Sequence, residues 1–123
     1  MHAKRYTVTV TTASDGTATA YTSANVNGPV LSIQYVKTDF DNGVDFTITG
    51  ETTGLGLWTD TNVNASETVA PRQPVHDQVG AALLYAAGGT AQVDYVYLAD
   101  ERVKIIIAQG GNVKSGTFHV TVG

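Results

Sequence analysis

Lys4-Arg5-Tyr6-Thr7-Val8-Thr9-Val10-Thr11-Thr12 alternates almost without fault between a residue that prefers to be buried and a threonine. Tyr6, Val8 and Val10 fall on one face of an extended chain, and Thr7, Thr9 and Thr11 on the other. A β-branched side chain that carries a hydroxyl suits the wet face of a pleated sheet, so the stretch reads as a strand with one face on a core. The same period of two recurs downstream. Leu31, Ile33 and Tyr35 alternate with Ser32 and Gln34, and Val44, Phe46 and Ile48 follow the same rule. Val93, Tyr95 and Tyr97 continue it, as do Phe118, Val120 and Val122. Val103, Ile105 and Ile107 face inward with Lys104 outward, and Ile106 is the one apolar residue out of step. The segment 54–58 (GLGLW) reads as a further short strand.

Turn chemistry separates these runs. Ser14-Asp15-Gly16 is a reversal from which 17–22 can return as the second arm of a hairpin, and Asp41-Asn42-Gly43 predicts a tight hairpin because Asn-Gly tolerates positive φ. Asn27-Gly28-Pro29 reads as a break, since proline has no N–H to give a ladder. Gly88-Gly89 and Gly110-Gly111-Asn112 are further stops. About eight strands with turns every ten or so residues predict an all-β fold, a single-domain antiparallel β-sandwich or jelly-roll-like barrel. Residues 59–78 have no period and contain Pro71 and Pro74, which predicts a long polar loop; loops of that length usually have a use. Residues 79–87 (VGAALLYAA) fit a short helix or a strand, because apolar runs this short are ambiguous.

A chain of 123 residues accommodates one domain and no second core. With no cysteine, disulfides and thiolate metal sites are excluded. The net charge is −4, and seven Lys and Arg are spread without a cluster, so no nucleic acid partner is expected. The N-terminal residues carry no apolar signal-peptide region, and no run is long enough to span a bilayer, so the expectation is no membrane association and synthesis in the cytoplasm.

The chemical candidates each meet a simpler reading. His2, His76 and His119 lack the spacing of a zinc site. The run 39–43 begins like a calcium loop, but its spacing collapses and the twelfth position is Gly50. The run 60–64 alternates better, yet Ala65 stands where the turn glycine belongs and Pro71 at the twelfth position. No serine sits in a nucleophile elbow, and Asp100-Glu101-Arg102 is most simply a charged turn, so no catalysis, no cofactor and no metal are expected. Trp58 with Tyr85, Tyr95 and Tyr97 offers an aromatic platform for sugars, but a lone tryptophan in a small β domain is more often core. Asn64-Ala65-Ser66 matches a glycosylation sequon, which has no use without a secretory route.

Three stretches carry a likeness: 4–10 (KRYTVTV), 44–51 (VDFTITGE) and 116–120 (GTFHV), supported by 100–105 (DERVKI), Gly110-Gly111 and 114–117 (KSGT). In these the chain resembles small virion structural proteins of tailed bacteriophages, of the capsid decoration or cement type. The resemblance implies a non-enzymatic protein on the capsid exterior, assembled in the host cytoplasm, that binds the major capsid protein, stabilises the particle and self-associates as a dimer or trimer. The residues expected to reach a partner are Val69, Pro71, Arg72, Pro74 and Val75 in the long loop, with Tyr6 and Phe118 near the termini. A carbohydrate- or receptor-binding module of a tail or fibre, and a head-to-tail or tail-tube component, are the alternative readings.

Overall fold

Alternation of the kind seen at 4–12 commits a segment to one buried face, and two such sheets must cover each other. The computed structural model describes residues 3–84 and 89–123, and among these it contains eleven strands and no helix. They are β1 (Lys4–Thr11), β2 (Ala18–Tyr21), β3 (Val26–Lys37), β4 (Val44–Gly50), β5 (Gly56–Val63), β6 (Glu67–Val69), β7 (Arg72–Pro74), β8 (Val93–Tyr95), β9 (Tyr97–Glu101), β10 (Val103–Ala108) and β11 (Ser115–Val122). One sheet runs β1-β11-β3-β6 with β9 joined to the early part of β3, and the facing sheet runs β2-β10-β4-β5. β7 and β8 form a separate two-stranded sheet. Every pairing is antiparallel, so the fold is an all-β sandwich, as the alternation predicts.

The core lies between the large sheets. Val8, Val10, Ile33, Tyr35, Phe118 and Val120 come from one side and Phe46, Ile48, Ile105 and Ile107 from the other, all buried. At its centre the Tyr35 ring lies 5.2 Å from Phe118 and 5.3 Å from Phe46, and Trp58 meets Phe46 edge-on at 4.7 Å. Trp58 is thus packed against the core and half-buried, not displayed as a platform. Ile106 is 38 % exposed on the outer face, as its position in the alternation requires.

Four expectations need correction. The turns at 12–17 and 38–43 close no hairpins: β2 pairs with β10 and β4 with β10 and β5, so both turns carry the chain from one sheet to the other. Gly16 (φ +83°) and Gly43 (φ +90°) do supply the positive φ, but a reversal does not specify which sheet receives the next strand. Asn27-Gly28-Pro29 does not end a strand. β3 passes through it by a bulge, with Gly28 at φ +114° and so close to the Gly123 carbonyl that no Cβ fits. The Pro29 carbonyl still accepts from Gly123 N–H at 3.0 Å.

Residues 59–78 are not one irregular loop. β5 continues to Val63, β6 pairs with Ile33–Tyr35 of β3, and β7 follows. Hydrogen bonding to a buried neighbour overrides weak local propensity there. The described part of 79–87 is neither helix nor regular strand. Val79 and Gly80 lie in a turn, and Ala82 and Leu84 make isolated bridges to His76 and Ala91. Tyr85, Ala86 and Ala87 lie outside the described residues, as does His2. No described helix is long and apolar enough to cross a membrane.

Candidate functional site

Between β6 and β9 the chain leaves the sandwich and builds an arm from 72 to 95. Arg72, Gln73 and Pro74 pair with Tyr95, Asp94 and Val93. Beyond them Val75 N–H donates to Gln92 O at 2.8 Å, Leu83 N–H donates to Val75 O at 2.7 Å, and Gln92 N–H donates to Leu83 O at 2.8 Å. Asp77 folds the tip. Its Oδ1 accepts from Val79 N–H at 2.9 Å and Ala81 N–H at 3.0 Å, and Gly80 closes the turn at φ +85°. At the base the Arg72 guanidinium stacks over the Tyr95 ring at 4.2 Å and donates to Pro71 O at 2.7 Å.

What sets the arm apart is burial. None of its described residues from 72 to 95 is buried, so it has backbone hydrogen bonds but no core of its own. It nonetheless carries large apolar side chains: Val79 is 81 % exposed, Val93 57 %, and Leu83 and Leu84 about two-fifths. Tyr97, just past its end, is also exposed. These side chains lie outside the hydrophobic core of the sandwich.

The residues expected from sequence to reach a partner divide. Arg72, Pro74 and Val75 belong to the arm, with Arg72 and Pro74 exposed and Val75 half-buried. Pro71 is buried at its root, and Val69 is half-buried against the core from β6. Tyr6 packs partly on the core, with the Lys4 ammonium 4.9 Å from its ring centroid, and sits on β1 at the far side of the sheet from β6. The structure therefore does not bring Tyr6 together with the arm. Phe118 is withdrawn as a contact residue: it is fully buried, stacked on Tyr35 and edge-on to Phe46 at 5.2 Å. Its place in the inward phase of β11 requires this. Val79, Leu83, Leu84 and Val93 were the residues missed, and a continuous apolar run beside turn residues was their signal in the sequence.

A second feature lies where three sheet-to-sheet turns meet. A polar pocket of about 340 Å³ is lined by residues that include Asp15, Asp41, Asn42, Gln109 and Asn112. The turns are tied to one another: Gly110 N–H donates to Gly16 O at 3.0 Å, and Asp41 N–H donates to Gly110 O at 3.0 Å. The Thr17 hydroxyl and amide hold the Asp15 carboxyl below its usual value. The sandwich's buried carboxylate, Glu101, lies elsewhere, under the β4–β5 turn. It accepts from the Thr52 and Thr53 amides, each at 3.0 Å, which lower its pKa against the opposing effect of burial.

Two side-chain oxygens of the run 60–64 serve the backbone. Asp60 accepts from its neighbour Thr61 N–H at 2.9 Å, and Asn64 accepts from Gly43 N–H at 2.8 Å. Asn62 itself sits at φ +54° with its N–H donating to Asp45. Asp60 also lies beside Glu67 and pushes the Glu67 carboxyl up. Among the described residues no three His, Asp or Glu side chains gather as a metal site. Comparison with protein families, with curated proteins and with solved structures found no match to this chain.

Proposed function

We propose that this chain is a non-enzymatic virion structural protein of the decoration or cement type, which binds the major capsid protein on the capsid exterior and stabilises the particle. The observation that carries the reading is the arm of residues 72–95, which presents Val79, Leu83, Leu84 and Val93 outside any core. Where its backbone is hydrogen-bonded, as at Val75, Leu83 and Gln92, the arm has less conformational entropy to lose on docking than a free loop. Each of those side chains gains at most about 1.5–3 kcal/mol when fully buried, and a lattice of identical sites repeats that gain across the particle.

The test uses the full chain and purified particles of the phage that encodes it. Because Val69 pairs with β3, the perturbation belongs at the tip: Val79→Ser with Leu83→Ser. The sandwich should keep its melting temperature while occupancy on particles falls at least tenfold. Full occupancy by the double variant, or a native copy number bearing no simple ratio to the capsid subunits, rules the reading out.

The polar pocket supports a second reading, a carbohydrate-binding module, since Asp15, Asp41, Asn42, Gln109 and Asn112 among its lining residues can exchange hydrogen bonds with sugar hydroxyls. Sugar titration followed at the Asn42 and Asn112 side-chain amides separates the two.

A further inference from the structure

The sheet that begins with β1 ends there too: nothing among the described residues pairs with the outer side of that strand. β1 differs from the other ends of the large sheets. It has 8 residues and keeps one register against β11 throughout, whereas β5 shifts register twice, β2 has 4 residues and β6 has 3. Bulges and short length blunt an edge; β1 has neither, and no proline.

The direction of its backbone groups follows from the hydrogen bonds. Thr12 N–H donates to Lys114 O at 2.8 Å in the register that pairs Val10 with Gly116, so the even-numbered residues of β1 serve β11. The other side of β11 agrees. Ser115 O accepts from Asp39 N–H, and Gly123 N–H donates to Pro29 O, each at 3.0 Å, so odd-numbered residues of β11 serve the β3 side. Arg5, Thr7, Thr9 and Thr11 therefore aim their N–H and C=O groups away from the sheet.

We propose that β1 is the interface of a two-fold dimer, in which a second copy of the chain adds its own β1 antiparallel to this one. The axis passes by Val8, so Thr7 lies opposite Thr9 of the partner subunit, and Arg5 lies opposite Thr11 of the partner subunit. This register keeps Tyr6, Val8 and Val10 on the buried face of a sheet continuous across both copies, and threonines outside. A slip of one residue would set valines against threonines. A second copy fits better than a foreign strand on charge as well. The cationic start of each strand, Lys4-Arg5, comes beside the uncharged Thr11-Thr12 of the other, and the two cationic ends stay apart at opposite ends of the pair. The interface stands apart from the arm and does not depend on what the arm binds.

Sedimentation equilibrium of the full chain from micromolar to millimolar concentration should give twice the monomer mass at the upper end. Protection of the Thr7 and Thr9 amides from exchange should rise in step. Thr9→Pro removes only an outward N–H, so the fold should persist while dimerisation weakens at least tenfold. If that variant loses its fold, charge pairs decide the matter. Thr7→Lys with Thr9→Lys places like charges opposite each other and should dissociate the dimer, and Thr7→Glu with Thr9→Lys should restore it. Leu83→Ser should leave the dimer unchanged. A chain monomeric over the whole range, or a dimer indifferent to both lysines, overturns the proposal.

Discussion

Glu101 offers a prediction whose size follows from the geometry. It is 4 % exposed, and its Oε1 accepts from Thr52 N–H and Thr53 N–H at 3.0 Å, while the Thr53 hydroxyl donates to Oε2 at 3.0 Å. Hydrogen bonds to a charged group contribute about 1.5–3 kcal/mol each, but Thr52 and Thr53 lie at the surface, where water replaces part of a lost partner. Glu101→Gln keeps the shape and one acceptor oxygen, so the expected cost is about 1.5 kcal/mol, a fall in Tm of roughly 5–9 °C for a domain of this size. The pH dependence has a definite sign. The folded carboxyl is held below its unfolded value near 4.5, so its stabilisation is complete above that value and is lost as pH falls through the lowered one. Glu67 is shifted the other way by Asp60, but it is present in both proteins and cancels in the difference. Thermal melts from pH 7 down to pH 3 should therefore bring wild type and Glu101→Gln together in acid. A second handle is Gly50, where an added Cβ would collide with the Glu101 carboxylate. Gly50→Ala should be costly alone and much less so beside Glu101→Ala, a coupling of about 1 kcal/mol or more in a double-mutant cycle. Additive effects, or an unchanged Tm at neutral pH for Glu101→Gln, would refute the capping role.

The remaining predictions concern the core. The Tyr35 hydroxyl is buried with no hydrogen-bond partner among the described residues, and burial pushes its pKa up, so Tyr35→Phe should leave stability unchanged or raise it by about 1 kcal/mol, read by urea denaturation at constant m. A loss beyond that range would point to a partner for the oxygen. Phe118→Ala empties the centre of the aromatic cluster and should cost about 3–5 kcal/mol, while any Phe118→Ala protein that still folds should bind particles as before.

Strand positions were legible because burial of one face leaves a period of two, and the stretch 4–11 returned as β1 in that phase, with Val8 and Val10 buried. The partner of each strand was not legible. Asp41-Asn42-Gly43 has the residues of a hairpin, yet the same backbone reversal carries β3 into the facing sheet, and only the global order of strands distinguishes the two. Gly28 illustrates a second limit. Its neighbour Pro29 argues for a break by local rules, but the bulge lets β3 continue past the β11 pairing with nothing required of the missing N–H. Both failures concern long-range pairing, which a local pattern does not encode.

The arm failed to announce itself for a different reason. Periodicity reports a buried face, and 72–95 has no buried residue among those described; the expected alternation of Val93, Tyr95 and Tyr97 is corrected, since Val93 and Tyr97 are exposed and the core face belongs to Val96 and Leu98. Its regularity comes from backbone hydrogen bonds, such as those joining Val75, Leu83 and Gln92, and these leave no trace in side-chain pattern. What remained visible was a contradiction: 79–87 is among the most apolar runs in the chain yet stands beside a polar stretch with two prolines. In a chain that buries Val, Ile and Phe efficiently elsewhere, apolar residues left outside the core need a reason beyond folding. Selection for stability alone would favour polar replacements at Val79 and Val93, which are 81 % and 57 % exposed, as it would at Val113, which is 61 % exposed on the turn before β11. The exposure of Val79 and Val93 on the described part of the arm is therefore what the proposed contact role explains, and the Val79→Ser, Leu83→Ser variant tests that role directly.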